Sequence, residues 1–139
     1  MKQKIAIMGS TGSIGKNLIK ILKTNKKKFE ISLLTTNKDY KNLLKQVKMF
    51  NVKNVIIIDK KSYLIFKKKN KNSKINIFNN FNNLEKIFKK KIDYVMSAIT
   101  GIEGLYPTLK IIKYTKKIAI ANKESIICGW GLIKNELKK

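Results

Sequence analysis

A short apolar run that leads directly into closely spaced glycines, and then into a helical pattern, leaves a chain few folds to choose from. Ile5–Lys23 reads IAIMGSTGSIGKNLIKILK, with Gly9, Gly12 and Gly15 spaced G-x-x-G-x-x-G. The apolar start is a buried-strand signal, and Ile14, Leu18, Ile21 and Leu22 recur at helical spacing. Strand, glycine turn and helix in this order are the context a phosphate-binding turn needs. Small residues let the backbone approach a diphosphate, and the first free N–H groups of the helix receive its charge at the positive dipole end. Gly15 is expected to let the helix pack close to the strand. Ser10, Thr11 and Ser13 are expected to add hydroxyl donors. The turn is one residue longer than G-x-G-x-x-G, and glycine triplets also form plain tight connections, so a structural turn is the competing reading.

The rest of the chain repeats the alternation. Strand patterns are read at Phe29–Thr35, Asn54–Asp59, Ile75–Phe78, Asp93–Ala98 and Ile118–Ala121. Helix patterns are read at Asp39–Phe50, Ser62–Lys69, Leu84–Phe88, Glu103–Tyr114 and Glu124–Leu137. Strands alternating with helices predict an α/β fold of Rossmann-like, doubly wound type: a mostly parallel sheet with helices on both faces. The Lys/Asn-rich stretch from Lys67 to Asn83 is expected to be the poorest in packing.

Composition narrows the function. The 139 residues suit one domain. No apolar run reaches the ~20 residues of a membrane span, and the run before Gly9 is too short for a signal peptide, so no membrane role is expected. One cysteine, Cys128, rules out an internal disulfide framework, and the absence of histidine removes imidazole acid–base chemistry and the usual zinc sites. The net charge of +24 invites a nucleic-acid reading. Against it, every basic residue is lysine, whereas base readout and bidentate phosphate clamping lean on arginine. The lysines are also spread along the chain among Asn and Ile, a bias that reads as nucleotide-composition drift. No specific nucleic-acid partner is expected, and a lysine-rich polyanion-binding module is kept as a rival.

Two strand ends carry the candidate chemistry. An acid at the tip of the second strand bonds the ribose of NAD, but here the tip reads Thr35-Thr36-Asn37-Lys38-Asp39. Hydroxyls, an amide and a lysine suit a 2′-phosphate, which favours NADP(H). Asp39 is the counter-evidence, unless it caps the next helix. The strand Ile118–Ala121 ends in Asn122, Lys123 and Glu124, at the sheet edge where such folds bind ligands. Lys123 there can neutralise an anionic substrate or a developing oxyanion. Equally, Asn122 and Glu124 can simply start a helix.

Three segments together, GSTGSIG at Gly9–Gly15, MSAITGIEGLYPTL at Met96–Leu109 and ANKES at Ala121–Ser125, resemble the 1-deoxy-D-xylulose 5-phosphate reductoisomerase family. The resemblance covers nearly the whole chain and implies residues 1–139 to be that family's NADP(H)-binding domain. It implies conversion of 1-deoxy-D-xylulose 5-phosphate to 2-C-methyl-D-erythritol 4-phosphate in non-mevalonate isoprenoid biosynthesis, with NADPH and Mg2+ or Mn2+. By the resemblance, Thr11, Gly12, Ser13 and Ile14 match the pyrophosphate turn. Asn37, Lys38 and Asp39 stand where the family has Gly-Lys-Asn, so an acid replaces an amide near the 2′-phosphate while Lys38 is kept. Ser97, Ala98 and Ile99 match the strand end beside the nicotinamide half. Asn122 and Glu124 match cofactor contacts, and Lys123 a substrate-contacting lysine.

The family's metal-binding Asp-Ser-Glu segment follows ANKES by one more helix and a strand, beyond Lys139. No catalytic or metal residue is therefore expected here, and Asp59, Asp93 and Glu103 are read as caps or surface groups. The chain alone is expected to be inactive: a fragment or split product working with a second chain that carries the metal-binding and C-terminal domains, a remnant, or an isolated domain that only binds nucleotide. A generic NAD(P) oxidoreductase domain is the other rival. The resemblance implies a homodimer, and the bacterial cytoplasm, or a plastid, as location.

Overall fold

The computed structural model describes all 139 residues, and β1 (Gln3–Met8) is the strand around which they are arranged. It pairs in parallel with β2 (Phe29–Thr36) on one side and β5 (Tyr94–Ser97) on the other. The sheet continues outward through β3 (Asn54–Ile57) and β4 (Asn76–Phe78), and on the far side through β6 (Ile118–Ile120). All five pairings are parallel, in the order β4-β3-β2-β1-β5-β6. The chain thus builds outward to one edge, crosses back over the sheet, and resumes beside β1. The reversal lies between β1 and β5, where open α/β sheets form their ligand crevice.

Alternation along the strands sorts side chains onto two faces. Ile5 and Ile7 join a cluster with Ile19 and Leu22 of α1 (Ser13–Thr24), Leu43 and Val47 of α2 (Tyr40–Phe50), and Phe66 of α3 (Lys60–Lys69). Ala6 and Met8 join a second cluster with Leu84 of α4 (Leu84–Ile87) and Ile111 of α5 (Leu105–Ile111). The last helix, α6 (Lys123–Leu137), buries Ser125, Gly129 and Ile133 and packs on α5, with Gly129 against Leu105. Helices cover both faces, so the strands are apolar on both sides, as parallel sheets require.

Three features depart from the sequence reading. The buried stripe of α1 is Gly15, Ile19 and Leu22, whereas Ile14 and Ile21 face solvent. Gly15 adds no hydrophobic signal, yet it is where α1 meets the backbone of the turn at Gly9 and Ser10 rather than the strand itself. In β2 the alternation breaks: Ile31 and Leu34 lie on one face and Leu33 on the other, because Ser32 is an extra residue in the pairing with β1. Its carbonyl oxygen accepts a hydrogen bond from Asn54 Nδ2 at 3.0 Å. The Lys/Asn-rich stretch is exposed over Lys71–Lys74, but it regains the core at Phe81, which is buried against the second cluster.

Asp93 ties the start of β1 to the segment before β6. One oxygen accepts from the Lys4 N–H at 2.9 Å and the other pairs with Lys116 Nζ at 2.8 Å. The Lys116 ammonium first, then the Lys4 amide, hold its carboxyl below the ordinary carboxylate range. The unfolded chain therefore binds this proton more tightly than the folded one. The stability it lends is complete above about pH 4, and is lost as pH falls through the lowered value. Urea unfolding followed between about pH 2 and 6 should show a shallower acid loss for Asp93→Asn than for wild type.

Candidate functional site

The carboxyl ends of β1, β2, β3 and β5 open onto a cleft of about 740 Å3. Its floor is the glycine turn, at Gly9, Thr11 and Gly12. One wall is the tip of β2 from Thr35 to Asp39, and the other is Ala98, Ile99 and Thr100 beyond β5.

The turn is fastened from beneath. The Gly9 N–H donates to Thr35 Oγ1 at 2.9 Å, and the Ser10 N–H to Thr35 O at 2.9 Å. Gly9 sits at φ +77°, a region that favours glycine, and a Cβ there would fall 2.6 Å from Ala98 O. A Cβ on Gly15 would fall 2.3 Å from Gly9 O. The two glycines thus let β5 and α1 close on the turn from opposite sides. The first helical hydrogen bond runs from the Lys16 N–H to Gly12 O, which leaves the N–H groups of Thr11, Ser13, Ile14 and Gly15 without a protein acceptor. Amides left free at a helix start, with the dipole behind them, suit an anion.

The hydroxyls behave differently from the expectation. Ser10 is fully buried, and its Oγ donates to Gln46 Oε1 at 2.7 Å, so it is not a donor to the cleft. Thr11 Oγ1 shares a hydrogen bond with Thr36 Oγ1 at 2.6 Å, which stitches the turn to β2. Ser13 is exposed at the helix start, as is Ile14 beside it.

Asn37, Lys38 and Asp39 all line the cleft. Asp39 caps α2: Oδ1 accepts from the Asn42 N–H at 3.1 Å and Oδ2 from Asn42 Nδ2 at 2.7 Å. Asp59 caps α3 in the same way, through the Ser62 N–H at 2.9 Å. The amide and hydroxyl of Ser62, helped by the charge of Lys38, hold the Asp59 carboxyl below its ordinary range. Both acids near the β2 tip therefore cap helix starts, Asp39 with both oxygens and Asp59 with one, and Lys38 is the cation among the cleft's lining residues.

Ser97 is buried, and its Oγ bonds Thr108 Oγ1 at 2.7 Å. Thr108 commits its own proton to Gly104 O, so Ser97 is the donor. Its hydroxyl holds α5 to β5 and is not turned to the cleft, whereas Ala98 and Ile99 do line it. Asn122 is also buried, with its amide fully used. Oδ1 accepts from the Ser125 N–H at 2.8 Å, capping α6, and Nδ2 donates to Ile99 O and Gly101 O. Lys123 is exposed and Glu124 half-buried at the start of α6, one strand beyond the cleft and outside its lining. Glu103, read as a surface group, lies at the cleft wall.

Sequence reasoning missed Gln46, Phe81 and Tyr106. Phe81 and Tyr106 both line the cleft: Phe81 lies outside every segment that carries the family resemblance, whereas Tyr106 lies within Met96–Leu109, and its Oη donates to Asn82 Oδ1 at 2.7 Å, joining α5 to the loop before α4. Gln46 had a legible signal: it stands three residues after Leu43, inside the buried stripe of α2.

A family-level sequence model of 1-deoxy-D-xylulose 5-phosphate reductoisomerase matches residues 5–130. The chain is 65% identical over 139 residues to the 1-deoxy-D-xylulose 5-phosphate reductoisomerase of Pelagibacter ubique, covering 99% of this chain and 36% of that protein. Its structure superposes on the Zymomonas mobilis reductoisomerase in complex with NADPH with a TM-score of 0.88, at 29% identity, covering 99% of this chain and 36% of that one. A reductoisomerase in complex with NADPH, fosmidomycin and magnesium gives 0.87 at 28% identity, with 98% and 34% covered. The chain spans about a third of the length of the relatives it matches.

Alanine at Gly9 meets both the positive φ and the Ala98 carbonyl. Gly9→Ala is expected to cost ~2–4 kcal/mol in urea unfolding, from backbone strain plus overpacking.

Proposed function

Because this chain belongs to the 1-deoxy-D-xylulose 5-phosphate reductoisomerase family, we propose that residues 1–139 are the NADPH-binding domain of such an enzyme. The whole enzyme would rearrange and reduce 1-deoxy-D-xylulose 5-phosphate to 2-C-methyl-D-erythritol 4-phosphate. The observation that carries this reading is the set of unbonded amides at Thr11, Ser13, Ile14 and Gly15, set at the switch point of a parallel sheet. The cleft fits the cofactor: its floor accepts the diphosphate, and Lys38 at the β2 tip answers the 2′-phosphate. Asn37 and Asp39 flank Lys38. With Asp39 folded back onto α2, the phosphate meets mainly the lysine.

NADPH, when bound, supplies the hydride. This chain's residues bind and orient it. Ser13 and Ile14 offer N–H groups to its phosphates, while Gly12 leaves room for them. Ala98 and Ile99 bound the side toward β5 and β6, where the nicotinamide belongs if the adenosine lies over β2. Ser97 and Asn122 act behind that wall as positioning residues, and Glu124 stands at its far end. Lys123, exposed beyond β6, is assigned to the sugar phosphate by its charge. No group of three or more His, Cys, Asp or Glu side chains here could hold a metal, so these residues do not fit a divalent ion. The remaining sequence of the enzyme, on this chain's continuation or on a second chain, would supply the metal site and the rest of the substrate contacts. The bacterial relatives and the exposed thiol of Cys128 support a reducing bacterial cytoplasm as location.

Titration of NADPH fluorescence at moderate salt tests the assignment. Gly12 is the N-cap of α1, with extended backbone and no side-chain cap, and a Cβ there would sit 3.4 Å from Gly9 O. Gly12→Asp therefore folds, at a stability within about 0.5 kcal/mol of wild type. Its carboxylate takes the place of the diphosphate, and NADPH affinity should fall more than about tenfold. A lysine-rich polyanion surface would not notice this change. Lys38→Ala should reduce the preference for NADPH over NADH about tenfold, and Lys123→Ala should leave NADPH binding intact. Full NADPH affinity in Gly12→Asp would contradict the assignment. Clear turnover of the sugar phosphate with Mn2+ by this chain alone would instead overturn the expectation that it is inactive without a metal site supplied from elsewhere.

A further inference from the structure

Gln46 is a buried polar side chain, 5% exposed, on a helix that otherwise buries Leu43 and Val47. It makes two hydrogen bonds, both to one residue of the glycine turn. Ser10 Oγ donates to its Oε1 at 2.7 Å, and its Nε2 donates to Ser10 O at 2.9 Å. A carbonyl oxygen can only accept, so this bond fixes which way the amide faces. No other group donates to Ser10 O.

The consequence follows from peptide geometry. All peptide bonds in the chain are trans. In a planar trans unit, the carbonyl of Ser10 and the N–H of Thr11 point in opposite directions. Holding Ser10 O toward α2 therefore aims the Thr11 N–H away from α2. Thr11 lines the cleft, and its N–H has no protein acceptor. The neighbouring amides of Gly9 and Ser10 are held separately by Thr35, so Gln46 controls just this one peptide. If the unit flipped, it would present the Ser10 carbonyl oxygen to an approaching diphosphate, and oxygen would face oxygen.

We propose that Gln46 is a positioning residue that locks the Ser10–Thr11 peptide, so that the Thr11 N–H is presented to the diphosphate of the dinucleotide. This rests on the reading of the cleft as an NADPH site. Gln46 touches neither cofactor nor substrate; it acts through Ser10. A side chain one methylene shorter would not span from α2 to the turn, and an apolar one of equal length would fill the space without holding the carbonyl.

The test uses the 139-residue chain. Gln46→Met keeps length and burial but removes both hydrogen bonds. Gln46→Glu sets a second acceptor against Ser10 O. Fluorescence titration should show the dissociation constant for NADPH raised about tenfold or more in each. Affinity for adenosine 2′-monophosphate, which carries no diphosphate, should stay within about twofold of wild type. A merely structural role would weaken both ligands together. A second measurement needs no variant, and decides the matter if the variants do not fold: in the 15N-labelled wild-type chain, the Thr11 amide proton should move downfield on adding inorganic pyrophosphate. Unchanged NADPH affinity in folded Gln46→Met, equal loss for both nucleotides, or a Thr11 resonance indifferent to pyrophosphate would overturn the proposal. Wild type that bound no NADPH would overturn the cleft assignment itself, and this inference with it.

Discussion

A helix start that leaves amides unbonded in the middle of a sheet edge is a liability unless everything beneath it is satisfied. Each free N–H is an uncompensated donor, and its desolvation is offset only when an acceptor arrives. The turn from Gly9 to Gly15 meets this condition through its neighbours. Thr35 takes two amides, Gln46 takes the Ser10 hydroxyl and carbonyl, and Thr36 takes the Thr11 hydroxyl. The polar groups that face the interior are paired, while Thr11, Ser13, Ile14 and Gly15 keep their N–H groups free. Much of the remaining fold serves to deliver those partners: β2 must end beside β1, and α2 must return over β2 so that Gln46 meets the turn.

The charge of the chain takes a secondary place beside this geometry. Thirty-two lysines and eight acids surround the domain, and several lysines lie over aromatic rings at its surface, such as Lys69 over Tyr40 and Lys113 over Tyr114. A field of this sign draws anions toward every face and distinguishes none of them. Any selectivity among anions has to come from the cleft, where free amides at fixed positions and a single lysine are brought together. That is why the glycine turn predicts more about function than the composition does.

Much of the architecture could be read from the sequence because it depends on local pattern. β1, β3 and the glycine turn follow from apolar runs and punctuation, and Asp39 and Asp59 stand where helix caps belong. What could not be read depends on partners far along the chain. Ser10 and Ser97 look like exposed donors in a polar turn and at a strand end. Each is buried because Gln46, 36 residues away, and Thr108, 11 residues away, bond them. The extra residue at Ser32 is invisible until β1 and β3 flank it. Phe81 sits among asparagines, which hid its place in the core. The stripe of α1 is hard to read because its first member is a glycine, and a hydrophobic count gives no weight to a missing side chain.

On the proposed reading, the second polar cluster would let one domain serve both cofactor and substrate. Asn122 caps α6 with its oxygen and grips the loop after β5 with its nitrogen. The same loop carries Ile99 into the cleft wall, so the start of α6 and the wall are parts of one rigid unit. A carbonyl substrate held by Lys123 would thus keep its distance from a nicotinamide resting on Ala98 and Ile99, whatever the surface around it does. Hydride transfer needs that distance fixed to within a fraction of an ångström. A buried amide joining two strand ends fixes it more firmly than contacts between mobile surface side chains could.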